Sequence, residues 1–117
     1  MQLTEADEAG QRAIICTHIP LDIEASTPAL LLYNHEAVNA VIDRHASPIM
    51  VLAGHHHVGG YHARERKEGA GGVVHHFTMP AVLEAPQDGT SYALIRVFDG
   101  RIEMQGVGRV ESATFLF

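Results

Sequence analysis

Residues 49–57 read Ile-Met-Val-Leu-Ala-Gly-His-His-His, a compact apolar run that stops at a glycine and passes at once into three histidines. Five apolar residues closed by a turn residue predict a short buried strand, 49–53. Upstream, Ala-Ile-Ile-Cys-Thr at 13–17 is a second run of the same kind, with the composition of a strand buried on both faces of a parallel sheet, and His18 follows it directly. Between the two, Ala37, Val38, Val41 and Ile42 fall on one stripe of a helix over 34–45. Asn34 stands where the helix cap belongs, Arg44 and His45 lie in its last turn, and Pro48 follows its end. Strand, helix and strand form a β-α-β unit, and such crossovers are almost always right-handed and join parallel strands. Both strands then end at the same edge of the sheet, the edge at which open α/β sheets bind ligands. Topology therefore predicts that His18 meets the 55–57 histidines across a long stretch of sequence.

The flanking segments complete an α/β reading: one β-α-β unit, then an antiparallel β region with a C-terminal hairpin. Leu3, Ala6 and Ala9 recur at helical spacing ahead of Gly10, which predicts a short helix. Residues 19–32 carry Pro20, Asp22, Ser26 and Pro28 without a clean period and read as a long loop, a kind of segment that is often functional. After Gly59-Gly60, strands are predicted over 60–64 and 72–79, separated by a charged, glycine-rich loop from Arg64 to Gly72 that is expected to be mobile. The sharpest local signal is Asp99-Gly100 between two alternating runs, the signature of a two-residue hairpin. That turn pairs Phe98 with Arg101, places Val97–Ile102 and Ile95–Met104 on one face, and sets Arg96 across from Glu103 as an opposite-charge pair on the other.

Composition narrows the function. The 117 residues carry 8 Lys+Arg against 14 Asp+Glu, a net charge of −6, which leaves no basic excess for a phosphate backbone, so nucleic acid is not an expected partner. No apolar run approaches the roughly 20 residues of a membrane-spanning helix, so no membrane partner is expected. The opening Met1-Gln2-Leu3-Thr4-Glu5 lacks the features of a signal peptide, and the single Cys16 cannot form an intrachain disulfide. The expectation is a cytoplasmic protein. Nine histidines outnumber the lysines and arginines together, and histidine is the commonest metal ligand. His35 and His45 read as surface or terminal residues of the helix. His75 and His76, adjacent in a strand, point to opposite faces and read as structural. His55 and His57, two apart, can reach one metal centre or two adjacent ones while His56 points away. Their place at a strand end, beside His18, favours metal binding.

The stretches Thr17-His18-Ile19-Pro20, Leu31-Leu32-Tyr33-Asn34, Leu52-Ala53-Gly54-His55-His56-His57-Val58-Gly59-Gly60-Tyr61, Gly72-Val73-Val74-His75-His76 and Gly106-Val107-Gly108-Arg109-Val110 resemble, in this order, the C-terminal half of calcineurin-like metallophosphoesterases. The branch they are most similar to is the manganese-dependent ADP-ribose/CDP-alcohol diphosphatases. The resemblance implies that 1–117 is the C-terminal portion of a single metallophosphoesterase domain, part of a β-sandwich holding two divalent ions (Mn, Fe or Zn). It implies hydrolysis of a small phosphorylated substrate of phosphodiester or nucleoside-diphosphate type. It assigns His18, His55 and His57 as metal ligands, the last two on different ions, and places Tyr33 and His62 in segments that line the substrate pocket.

The family's Asp-x-His, Gly-Asp-x-x-Asp and Gly-Asn-His motifs occur nowhere in 1–117. Two divalent ions about 3.5–4 Å apart are normally held by carboxylates that bridge and neutralise them, which three neutral imidazoles cannot do. Only Asp22 is close enough in sequence to His18 to approach such a site. No catalytic residue is therefore assigned, and the chain is expected to be inactive alone. Its inner-type strands would need either the N-terminal half or a second copy of the chain as neighbours, so a homo-oligomer or association with that half is expected. The competing reading is a stand-alone, His-rich metal-binding or oligomerisation module without catalysis. A third is a truncated product that binds no metal.

Overall fold

The computed structural model describes residues 2–67, 69 and 71–117. Among the described residues there are seven strands in two sheets. Helix α1 (Gln2–Glu8) leads into β1 (Ala13–Cys16), then helix α2 (His35–Asp43) and β2 (Pro48–Ala53). Strands β3 (Gly60–Glu65) and β4 (Val73–Thr78) complete a four-stranded sheet in the order β1-β2-β4-β3. The second sheet is β5 (Ser91–Phe98), β6 (Arg101–Gly108) and β7 (Ala113–Leu116), in that order.

The β-α-β unit forms as expected, with β1 and β2 parallel. β2 is nearly buried throughout, because both of its faces are covered. Val51 packs with Leu21, Ile42 and Val74 on the helix side. Met50 joins Ile102, Met104, Val110 and Phe115 in the core that fills the space between the sheets. Burying each such side chain contributes about 1.5–3 kcal/mol. β1 departs from its composition: it is the outer strand, only half-buried, with Cys16 exposed. The region after Gly60 also departs from a purely antiparallel reading. β3 and β4 form an antiparallel pair, but β4 inserts beside β2 and runs parallel to it. Local alternation cannot distinguish a hairpin arm at an edge from one that enters a parallel sheet.

The hairpin register is the predicted one, Phe98 opposite Arg101 and Arg96 opposite Glu103. The expected Arg96–Glu103 ion pair is not made. Glu103 accepts instead from Arg101 Nε at 2.8 Å, and Arg96 donates to Gln105 Oε1 at 3.2 Å. Sequence reading missed β7, a four-residue strand that pairs with β6. Its Phe115 rests on Tyr61, His75 and Phe77, so β7 lies over β3 and β4. The edge strands of the two sheets are β1 and β3 in the first and β5 and β7 in the second. Of the Arg64–Gly72 segment, Arg64 and Glu65 belong to β3, and Arg66 is tied by its guanidinium to the carbonyls of Gly71, Val73 and Pro48. Glu68 and Ala70 of the same loop, expected to be mobile from Arg64 to Gly72, lie outside the described residues.

Candidate metal centre

The β1–β2 ladder runs past the end of β1, with Thr17 N donating to Leu52 O at 2.9 Å and Gly54 N to His18 O at 3.0 Å. These bonds draw the two loops together at the carboxyl edge. The His18 and His55 rings meet edge to face with centroids 5.1 Å apart. The 54–59 turn is closed by His56 N to Gly54 O at 2.7 Å and Gly59 N to His56 O at 2.8 Å. To make it, His55 adopts a left-handed conformation at φ 66°, the sole described non-glycine residue with a positive φ. Such a conformation costs a non-glycine residue about 1–3 kcal/mol, and residues held this way concentrate at functional sites.

His57 takes a different partner. Its Nδ1 donates to Glu84 Oε1 at 3.0 Å, and its own carbonyl accepts from Ala81 N at 3.0 Å. A carboxylate can only accept, so Nδ1 carries the proton and a neutral ring keeps its lone pair on Nε2, which has no hydrogen bond among the described residues. Among those residues, no group of three His, Cys, Asp or Glu side chains is placed to hold a metal ion. The described donors are a facing imidazole pair, His18 and His55, and the His57 imidazole held by Glu84.

Asp22 points elsewhere. It is buried and caps its own turn, accepting from Glu24 N at 2.9 Å and Ala25 N at 3.3 Å, and its Oδ1 also takes the Nδ1 proton of His62 at 2.9 Å. That bond pins the 19–33 loop to β3. Gly60 permits the close approach, because a Cβ there would strike the backbone of Ala25. Tyr33 lies on the same loop, fully exposed. His62 is 37 % exposed at its side chain, so it anchors the loop and still presents one edge to solvent.

Behind this loop lies a buried charged layer absent from the sequence reading. Arg64 grips Asp43 of α2 with two bonds of 2.7 and 2.6 Å and stands 3.9 Å from Asp22. Burial of Asp43 works against its ionisation, but the Arg64 bonds and the Lys67 amide prevail and hold its pKa below the ordinary value. His76, opposite His62 in register, is 2 % exposed, and neither ring nitrogen has a described partner. Burial lowers its pKa to about 4. His75 faces the other way. Its Nε2 donates to Leu116 O at 2.8 Å, so Nδ1 accepts from the Tyr61 hydroxyl at 2.9 Å. The two adjacent histidines point to opposite faces, as expected. His35 and His45 are more engaged than surface residues: His35 bonds to Leu32 O, and His45 bonds to Asp7 of α1 at 2.7 Å.

The fold matches one region of a dimetal phosphatase. A crystal structure of such an enzyme from Danio rerio superposes with a TM-score of 0.88 and 33% identity, over 98% of this chain and 35% of that one. The sequence matches manganese-dependent ADP-ribose/CDP-alcohol diphosphatases: 35% identity over 115 residues in Danio rerio, 33% over 113 in Arabidopsis thaliana and 31% over 108 in Homo sapiens. The chain spans about a third of the length of the curated relatives it matches. No family model matches it.

Proposed function

We propose that this chain is the histidine-bearing, C-terminal portion of a metal-dependent phosphohydrolase acting on a small diphosphate or phosphodiester substrate. The carrying observation is the His18–His55 pair, placed ring to ring at the carboxyl edge of the parallel strands, with His57 on the same loop as His55 and held by Glu84. Such a division suits ligands serving two neighbouring ions, His18 and His55 on one and His57 on the other. Divalent ions bound there would neutralise charge that builds on phosphoryl oxygens. The chain's own contribution is to hold three imidazoles on short loops tied to a sheet, and to carry Tyr33 and His62 on the adjacent loop and strand as substrate contacts. Carboxylate ligands and proton donors must come from elsewhere. The open β1 and β5 edges, with Tyr92, Leu94, Val97 and Phe98 exposed on β5, offer the surface for an N-terminal half or a second copy.

The test is an assay of the purified chain with Mn²⁺ and ADP-ribose or CDP-choline. No turnover above the metal-only control is expected, and turnover comparable to a full-length diphosphatase would overturn the proposal. A non-catalytic metal-binding module is the second reading, resting on the facing His18 and His55 rings alone. It predicts that adding the N-terminal half of a relative restores no hydrolysis.

A further inference from the structure

We propose that Glu84 is a positioning residue for His57, fixing which ring nitrogen is offered to a metal, and that Arg109 locks together the two loops that carry them. The inference rests on the reading of His57 as a ligand. Glu84 closes the short turn Val82–Glu84, far in sequence from the Gly-His-x-His loop, yet its Oε1 lies 3.0 Å from His57 Nδ1. The two segments are joined by three further bonds. Ala81 N donates to His57 O at 3.0 Å, and Arg109 Nη1 donates to Ala81 O at 2.7 Å and to His57 O at 3.3 Å. Arg109 lies between β6 and β7, so the second sheet reaches across to hold the loop of the first. At Gly59 a Cβ would collide with Pro80, so the two segments also abut sterically.

The pair itself is half exposed, 48 % at His57 and 51 % at Glu84, where water and salt screen an ion pair and its contribution to stability is small. Stability therefore does not account for it. A carboxylate on Nδ1 does something more specific: it holds the proton there, leaves the Nε2 lone pair bare, and sets the ring plane, as carboxylates do behind metal-bound histidines. His18 and His55 show no such partner among the described residues, so of the three imidazoles only His57 arrives with its tautomer set.

The experiment records long-range ¹H–¹⁵N histidine spectra in the wild type, Glu84→Gln and His57→Ala, the last assigning the His57 signals by their loss, without metal and during a titration with Zn²⁺ alone. The wild type should show His57 with its proton on Nδ1, and its Nε2 signal should shift as Zn²⁺ binds. Glu84→Gln should redistribute the proton between both nitrogens and weaken Zn²⁺ binding at His57 by roughly 10–100-fold. An unchanged tautomer and an unchanged titration in Glu84→Gln overturn the role of Glu84, even where His57→Ala abolishes binding. A wild-type His57 signal that does not respond to Zn²⁺ overturns the ligand reading instead, while the Glu84→Gln tautomer still reports on the orienting contact. Arg109→Gln should leave the tautomer intact but broaden the resonances of 55–59. Unbroadened resonances would remove Arg109 from the proposal.

Discussion

His76 makes stability depend on pH in a window that can be calculated. The ring is 2 % exposed, without a described partner for either nitrogen, and is surrounded by Asp22, Asp43, Arg64 and His62. Burial dominates the balance and lowers its pKa from 6.5 to about 4. Between those values the unfolded chain binds a proton that the folded chain refuses, so acidification favours unfolding. His76 therefore weighs nothing against the fold above pH 6.5, and its penalty grows as pH falls toward 4. At 1.36 kcal/mol per pKa unit the full penalty is roughly 3 kcal/mol, a large share of the 5–15 kcal/mol that holds a typical domain. Urea unfolding at pH 7.5, 6, 5 and 4.5 should show the wild type losing stability progressively. His76→Phe, which keeps a ring of similar volume and cannot be protonated, should lose markedly less, the difference approaching that 3 kcal/mol at the acid end. Parallel curves for the two proteins would refute the reasoning, and would mean that a proton reaches His76 in the folded state at little cost.

Other perturbations follow from the same geometry. Arg64→Met leaves Asp43 and Asp22 buried without a counter-charge and should cost about 3–5 kcal/mol in chemical denaturation; a loss below about 1 kcal/mol would contradict the bidentate pair. Asp7, held by its hydrogen bonds to Ser47 and then to His45, has its pKa lowered from 3.8 to about 2. Its contribution is complete above pH 3.8 and is lost as pH falls through 2, so the melting temperature of Asp7→Asn should change less between pH 5 and 2.5 than that of the wild type. His55→Gly removes a left-handed penalty of about 1–2 kcal/mol against an entropic cost of about 0.5–1 kcal/mol. The variant should be at least as stable as the wild type by calorimetry, and a loss above 1 kcal/mol would show that His55 is not strained.

The β-α-β unit and the hairpin were legible because each rests on local pattern: apolar runs closed by glycine, a helical stripe, an Asp-Gly turn. From the first followed the meeting of His18 and His55, since parallel strands joined by a crossover end on one edge. What stayed hidden depends on pairing at a distance. β1 and β2 have the same composition, yet only β2 has neighbours on both sides. Arg64, Asp43, Glu84 and Arg109 look like ordinary surface charges in sequence, because nothing local marks which carboxylate a guanidinium or imidazole will find. Arg96 and Glu103 teach the converse: correct register places two charges opposite each other, and nearer partners still take them.

The central claim is that this chain carries the imidazole side of a two-ion site and lacks its carboxylates. Mn²⁺ stoichiometry, measured by calorimetry and elemental analysis on the wild type and on His18→Ala/His55→Ala, tests it most directly. The account predicts fewer than two ions per wild-type chain, and loss of the ion held by the facing pair in the double variant. Two tightly held ions on the isolated chain, or a double variant that binds as the wild type does, would contradict it.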